Sequence, residues 1–455
     1  MAKKESQVKP NSASTEKGIT KITVAGYKSI SQEQSIEIRP LTILAGANSS
    51  GKSSMMQPLL LLKQTLEASY DPGALRLDGP NVRFTSTDQF LSHAGKGKHV
   101  NDFHIGINLE DGSSCTVFFN RLPNRTMEVR RMISINRRGN FDLRPGMYDE
   151  EILSGEVPAY MRIALMNFVD PKNNWRLNVV QDRCFFKVKS TPGKALGLTF
   201  DVPLINDLVL NLDKHIRELI HLPGLRGNPE RTYLVAAVSS NFTGTFENYT
   251  ASVIAKWQVD KNNRKIEELG QDLKSLGLTW KVAAKPLNDT QVELQVGRLP
   301  QPSKAGKSDM VSIADVGVGV SQTLPVLVAL HAAKPGQLVY IEQPEIHLHP
   351  RAQTAMAQIL AKAAKRGVRV VVETHSSLLI LGIQTLVAEG EIEPELIKLH
   401  WFERRNGRTE ITSRDLDETG AFGDWPEDFA DVALEAQSRY LDAAESRMRS
   451  KRRAS

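Results

Sequence analysis

At 455 residues, with 40% hydrophobic and 24% charged side chains, the chain has room for two or three domains with substantial cores, and its mixed composition excludes a filament. Its two cysteines, Cys115 and Cys184, exclude a disulfide framework or a zinc cluster and fit a reducing compartment. The net charge of +6 permits nucleic-acid contact without requiring it, since part of the excess sits in the tail RMRSKRRAS; no apolar run has membrane-spanning length, so a cytoplasmic protein is expected.

Residues 1–17 are polar, lack the apolar core of a signal peptide and read as a disordered leader. ITKITVAGYKSI and SIEIRP then read as two strands that deliver the chain, past Pro40, to a third, LTILAG. In LTILAGANSSGKSSMMQPLLLL, Gly46, Gly51, Lys52 and Ser53 fall on the spacing G-x-x-x-x-G-K-[ST], between a buried-strand pattern and a helix expected from about Ser53 to Ser69. Strand, loop and helix in that order make the match specific for a nucleotide site. Glycines let backbone N–H groups close around phosphate, the helix N-terminus adds positive dipole, Lys52 reaches the β- and γ-phosphates, and Ser53 ligates Mg²⁺. Asn48, Ser50 and Ser54 complete the expected phosphate-binding loop.

From about residue 96 to 204 the pattern becomes short alternating runs such as HIGINLEDG, CTVFFNR and TMEVRRMISINRRG, which read as a β-rich insertion. Basic residues concentrate there: Arg121, Arg125, Arg130, Arg131, Arg137 and Arg138, either a solvated strand face or a nucleic-acid contact. Residues 205–300 show helical spacing, broken by HLPGLRGNPERTY, and LPQPSKAGKSD reads as a mobile loop. No internal repeat or sustained heptad occurs, which excludes a long coiled-coil arm.

The segment 301–415 alternates strand and helix in the manner of a parallel sheet: DMVSIADVGVG, a helix from about Ser321, QLVYIEQPE, a helix from about Arg351, VRVVVETHS and a helix from about Leu378. LIKLHWFERRNGRTEITSRDL follows as an antiparallel pair turned at Asn406-Gly407, and 416–455 reads as a polar helical segment with a basic tail.

QLVYIEQPEIHLHP is an apolar strand ending in acid beside the phosphate loop, so Glu342 is assigned to the metal. A catalytic glutamate would sit at the next position, which is Gln343; a neutral amide can orient water but cannot accept its proton, so slow hydrolysis is expected. Glu345 is the candidate for the missing carboxylate, as a general base directly or through a water. His375, at the end of the next apolar strand, is placed to sense the γ-phosphate or the attacking water. His347 and His349 share one face of an extended segment, but nothing completes a metal site around them.

GANSSGKSS, the glycine-rich DVGVGVSQTLPVL, EQPEIHLHP and ETHSS, in this order, resemble the ABC-type ATPase heads of the SMC, RecF and OLD group, used in bacterial DNA repair and anti-phage defence. The resemblance covers about residues 18–95 and 300–400. It implies an α/β fold: a P-loop ABC-ATPase head assembled from N- and C-terminal segments, with the β-rich then helical insertion between them. In such heads the signature segment of one copy caps the ATP held by another. That would make Asp315, Gly317, Gly319, Val320, Ser321 and Gln322 a cap in trans, with two heads joined in a homo-dimer or higher homo-oligomer around ATP and Mg²⁺. Lys28 resembles the basic residue such heads place near the nucleotide, and Gln89 is the candidate for their glutamine loop, which reaches metal and water.

LPGLRGNPERTY and GAFGDWPEDFADVALEAQSRYL resemble segments of the small, coil-free bacterial branch that includes the Septu ATPase PtuA. Some members carry a TOPRIM nuclease, but here DLDETG and DWPED offer scattered acids without a fold to hold two metals, so a separate effector protein encoded nearby is expected. Two function readings follow: a sensor or scaffold ATPase acting on that effector in anti-phage defence, or a RecF-like repair ATPase whose insertion and Arg226/Arg231 region grip DNA. A transporter subunit is a third, opposed by the insertion and by EQPEIHLHP.

Overall fold

The computed structural model describes residues 18–93, 100–153, 156–166, 175–192, 199–299 and 309–423, with the single positions 169, 301 and 439. The expected leader, most of LPQPSKAGKSD and the C-terminal polar helix lie outside the described residues.

Alternating strands build the first lobe. β1 (Ile19–Ala25) and β2 (Gln34–Glu37) pair antiparallel and bury Ile22, Val24 and Ile36. β3 (Leu41–Gly46) does not alternate, and all of it is buried, the mark of a strand covered on both faces. α1 (Lys52–Leu66) follows and buries Met55, Met56 and Leu59 through Leu62. β4 (Asp102–Leu109), β5 (Ser114–Arg121), β6 (Met127–Asn136) and β7 (Gly139–Leu143) form an antiparallel meander that continues from β1, in the order β2-β1-β4-β5-β6-β7. This sheet therefore crosses the boundary drawn at residue 95, because β4 satisfies the backbone groups along the second edge of β1. Of the six basic residues noted in this stretch, Arg131 forms two hydrogen bonds to Asp142 at 2.7 and 2.9 Å, while Arg121 pairs with Asp88 and Arg138 with Asp207.

α2 (Asp149–Leu153), α3 (Ala159–Met166), β8 (Trp175–Asp182), β9 (Phe185–Pro192) and β10 (Phe200–Asp201) complete this region, the strands in the order β10-β9-β8. α4 (Pro203–Glu218) starts at a proline, whose missing N–H costs nothing in a first turn. β11 (Ile220–Leu222), β12 (Tyr233–Leu234), α5 (Thr250–Val259), α6 (Asn263–Ser275), β13 (Val282–Pro286), β14 (Gln291–Gly297) and β15 (Met310–Ser312) follow. The segment expected to be helical thus contains strands as well. β12, β13 and β15 all pair with β14, so the strand expected in DMVSIADVGVG joins a small antiparallel sheet instead of the parallel one.

The chain closes with α7 (Val318–Ala332), β16 (Leu338–Glu342), α8 (Pro350–Lys365), β17 (Arg369–Thr374), α9 (Ser377–Ala388), β18 (Ile397–Arg405) and β19 (Arg408–Arg414). The central sheet has the order β11-β16-β17-β3-β18-β19, parallel except for β19. Leu41 through Ala45 lie between Val370 through Thr374 on one side and Ile397 through Trp401 on the other.

One buried cation ties α1 to the middle of the chain. Lys63 is 0% exposed; its Nζ donates to Glu67 at 2.5 Å and to the carbonyls of Arg217 and Phe242 at 2.9 and 3.0 Å. Lys63→Met should strand those acceptors and lower stability by about 3–5 kcal/mol; an unchanged urea midpoint would refute the role given to this network.

Candidate functional site

The turn after β3 requires glycine at two positions. Gly46 has φ 143° and Gly51 φ 106°; a Cβ at Gly46 would collide with the Phe402 carbonyl and one at Gly51 with Thr409 Oγ1. Gly51 caps α1 without a side-chain acceptor, so the amides of the first turn face the loop as an anion-binding cradle. Lys52 folds over that cradle and donates to the carbonyls of Gly46 and Ala47 at 3.0 and 2.8 Å. Burial pushes its ammonium below the ordinary lysine range, against the pull of Glu373 and Glu345. Ser50 Oγ is buried without a partner.

A cleft of about 950 Å³ opens over this loop. Lys28, Asn48, Ser50, Gly51, Lys52, Ser53, Ser54, Gln89, Gln343 and His375 line it, so one cavity gathers most of the residues expected from sequence. Lys28 enters with φ 48°, its ammonium 5.0 Å from the Phe84 ring centre. Gln89 is turned toward its own neighbour, its amide exchanging hydrogen bonds with Thr85.

The acids arrange themselves differently from the expectation. Ser53 Oγ lies 2.8 and 2.9 Å from the two carboxylate oxygens of Glu373, not on Glu342. Glu373 also accepts from the Tyr340 hydroxyl at 2.8 Å. Glu342 sits opposite Glu373 across the β16–β17 ladder, but its carboxylate is held by His221 Nε2 and the Gly224 amide, both at 3.2 Å. The pair is pushed apart electrostatically. Burial, then the Glu342 charge, raises Glu373; burial also acts on Glu342, but the bonds from His221 and Gly224 outweigh it and hold that carboxyl below the ordinary range. Glu373, Tyr340 and His221 were not singled out from the sequence. The signal for Glu373 was present: VVVE is an apolar run ending in acid just as LVYIE is.

Gln343 stands on a left-handed backbone, φ 46°, its N–H donating to the Glu373 carbonyl at 2.7 Å. Glu345 does not line the cleft. Its Oε1 accepts from the Thr374 hydroxyl at 2.6 Å and the His375 amide at 3.0 Å, and its Oε2 is buried without a partner. It therefore organises the turn that carries His375. The His375 imidazole is pushed down, first by burial and then by Lys52, so it is neutral near pH 7.

The signature residues lie elsewhere. Gly317 caps α7, Gly319 follows in the first turn, and Ser321 donates to the Val318 carbonyl at 3.0 Å. Asp315 is paired with Arg231, and Gln322 donates to the carbonyls of Arg226 and Gly227. Arg226, 5% exposed, donates in turn to the carbonyls of Gln322 and Glu342. Among the described residues no group of three or more acids, histidines or cysteines converges on a metal position, His347 and His349 included.

The fold is a mixed α/β one, with a P-loop between β3 and α1 at the edge of a largely parallel sheet. Residues 245–381, which take in the signature segment, Glu342 and His375, match the family described as "AAA domain, putative AbiEii toxin, Type IV TA system". No curated protein matches the chain. Similar solved structures include an SMC head bound to the C-winged helix domain of ScpA, with 13% identity, 88% of this chain and 98% of that one covered and a TM-score of 0.46. An SMC head domain from Thermotoga maritima has 10% identity, 87% and 98% covered and a TM-score of 0.37. A third, an SMC head with an extended coiled coil bound to a ScpA C-terminal domain derived from Pyrococcus furiosus, has 10% identity, 94% and 100% covered and a TM-score of 0.45. No helix among the described residues is long and apolar enough to cross a membrane.

Gly51→Ala puts a methyl group against Thr409 on a backbone that side chains rarely adopt. It should cost about 1–3 kcal/mol of stability, read as a lower denaturation midpoint; an unshifted midpoint would contradict the close packing of loop and hairpin.

Proposed function

We propose that this chain is an ABC-type ATPase whose heads engage around ATP and Mg²⁺, and that nucleotide state controls its hold on a separate effector protein, in anti-phage defence. The observation that carries the ATP reading is the floor of the cleft: Lys52 over an anion cradle, with Ser53 Oγ 2.8 Å from a buried glutamate. An all-oxygen set of one hydroxyl and one or two carboxylates, completed by phosphates and water, suits Mg²⁺. Ser53 and Glu373 would hold it, with Glu342 opposite as the second carboxylate. Mg²⁺ bound there would neutralise charge on the β- and γ-phosphates.

The protein groups divide the rest of the work. Lys52 leaves its two carbonyls for phosphate oxygens. The Gln343 amide orients water, and neutral His375, aimed by Glu345, meets the γ-phosphate. Glu345 already receives two hydrogen bonds on Oε1, which leaves Oε2 as its only route to the water proton. Turnover is therefore slow, and the ATP-bound assembly long-lived. Coupling outward has a supporting path: Arg226 bonds both the end of β16 and the start of α7, and Leu225 beside it is 83% exposed. Of the two regions on which the RecF-like reading relies, the second gives it little support, since Arg226 is buried and Arg231 is paired with Asp315.

The first test is the mass of the purified protein with and without ATP and Mg²⁺, alone and co-expressed with its neighbouring gene product. ATP should double or multiply the mass and retain the neighbour; Lys52→Ala should lose nucleotide binding, and Ser321→Arg should keep binding but lose assembly. An ATP-bound monomer, or assembly persisting in Ser321→Arg, would refute the trans cap. Binding of DNA, weakening steeply with salt, with no capture of the neighbour would favour repair. Gln343→Glu should raise the ATPase rate about a hundredfold or more, the scale of one added general base; unchanged turnover would point to Glu345 as the base or to another limiting step.

A further inference from the structure

The β18–β19 hairpin reaches the same cleft from the opposite end of the chain. Its turn, Asn406-Gly407, has φ 51° and 79°, the left-handed pair of a tight two-residue connection. The register sets Arg404 opposite Thr409 and Arg405 opposite Arg408, and opposite residues share a face. Thr409 fixes the first of those faces on the phosphate loop. It is 4% exposed, its hydroxyl donates to the Ser50 carbonyl at 2.7 Å and lies 2.7 Å from Ser29 Oγ, and its amide donates to the Ser29 carbonyl at 2.8 Å. Arg404 therefore projects from a strand pair anchored to the loop that cradles phosphate.

The hairpin arginines are not equivalent. Arg405 is engaged by Glu403 at 2.8 Å and Glu410 at 3.6 Å. Arg404 and Arg408 line the cleft with Lys28 and Lys52, and neither has an acidic partner among the described residues. Four cations thus converge on a cavity whose lining offers one carboxylate, Glu373. Their mutual repulsion is relieved by a polyanion between them. A guanidinium fork matches phosphate oxygens in pairs.

We propose that Arg404, assisted by Arg408, binds the phosphate chain of the nucleotide from the hairpin side, so that the C-terminal strand pair is a third wall of the site beside the phosphate loop and the Lys28 turn. This rests on the reading of the cleft as a nucleoside triphosphate site. Binding would join the N-terminal lobe, the loop and the C-terminal hairpin through one ligand.

The test is calorimetric titration of the full chain with ATP, ADP and adenosine in Mg²⁺ buffer, for the natural sequence and for Lys52→Ala, Arg404→Ala, Arg404→Lys, Arg404→Ala/Arg408→Ala and Arg405→Ala, each checked for an unchanged melting profile. Arg404→Ala should weaken ATP and ADP about tenfold, the size of one hydrogen bond to a charged group, leave adenosine unaffected, and be partly rescued in Arg404→Lys. Arg405→Ala should bind as the natural sequence does. Undiminished ATP affinity in the double variant, beside loss in Lys52→Ala, would overturn the proposal while sparing the nucleotide site. Equal losses in Arg404→Ala and Arg405→Ala would also overturn it, by assigning the effect to the fold of the hairpin. A natural chain that binds no nucleotide would remove the underlying reading.

Discussion

The parallel pairing of β3 with β17 and β18 is the constraint on which the rest of the structure depends. Residues 41–46 are flanked by strands drawn from more than three hundred positions farther along the chain. Parallel neighbours cannot be joined by a tight turn and need long crossovers, so everything between must leave the sheet and return. The gain is positional. All three strands point the same way, and their C-terminal ends deliver the phosphate loop, Glu373 and the start of the hairpin to one edge, where open α/β sheets bind ligands.

That edge also explains why two glutamates of similar sequence setting behave differently. Glu342 and Glu373 are directly opposed on adjacent parallel strands. Two like charges at that spacing cannot both be held without help. His221, stacked on Tyr340 with ring centres 5.4 Å apart, supports the charge of Glu342. Glu373 is left to Tyr340 and Ser53, and bears the burial of the site in a raised affinity for its proton. Carboxyls divided in this way can take separate roles.

Positive charge is apportioned by the same logic. Arg121, Arg131 and Arg138 are paired with acids in or near the β-rich lobe, Arg231 with Asp315, and Arg226 is sealed between β16 and α7. Three of the six insertion arginines that look in sequence like a nucleic-acid surface are thus engaged within the chain. Arg404 and Arg408, at the phosphate loop and without acidic partners among the described residues, come from a stretch whose sequence announces only a turn.

Local order is what the sequence determined by itself. The phosphate loop with its flanking strand and helix, the acid at the end of β16, His375 after β17 and the Asn406-Gly407 hairpin all depend on spacing within a few residues, and periodicity and turn chemistry record such spacing directly. Only the tertiary structure decided which acid meets Ser53, that Glu345 aims His375 instead of lining the cleft, that β4 extends the sheet of β1, and that the hairpin closes on the Lys28 turn. Each of these is a contact across long separations, set by which strand edges remained unpaired and which charges could be buried together, and no local pattern encodes that competition.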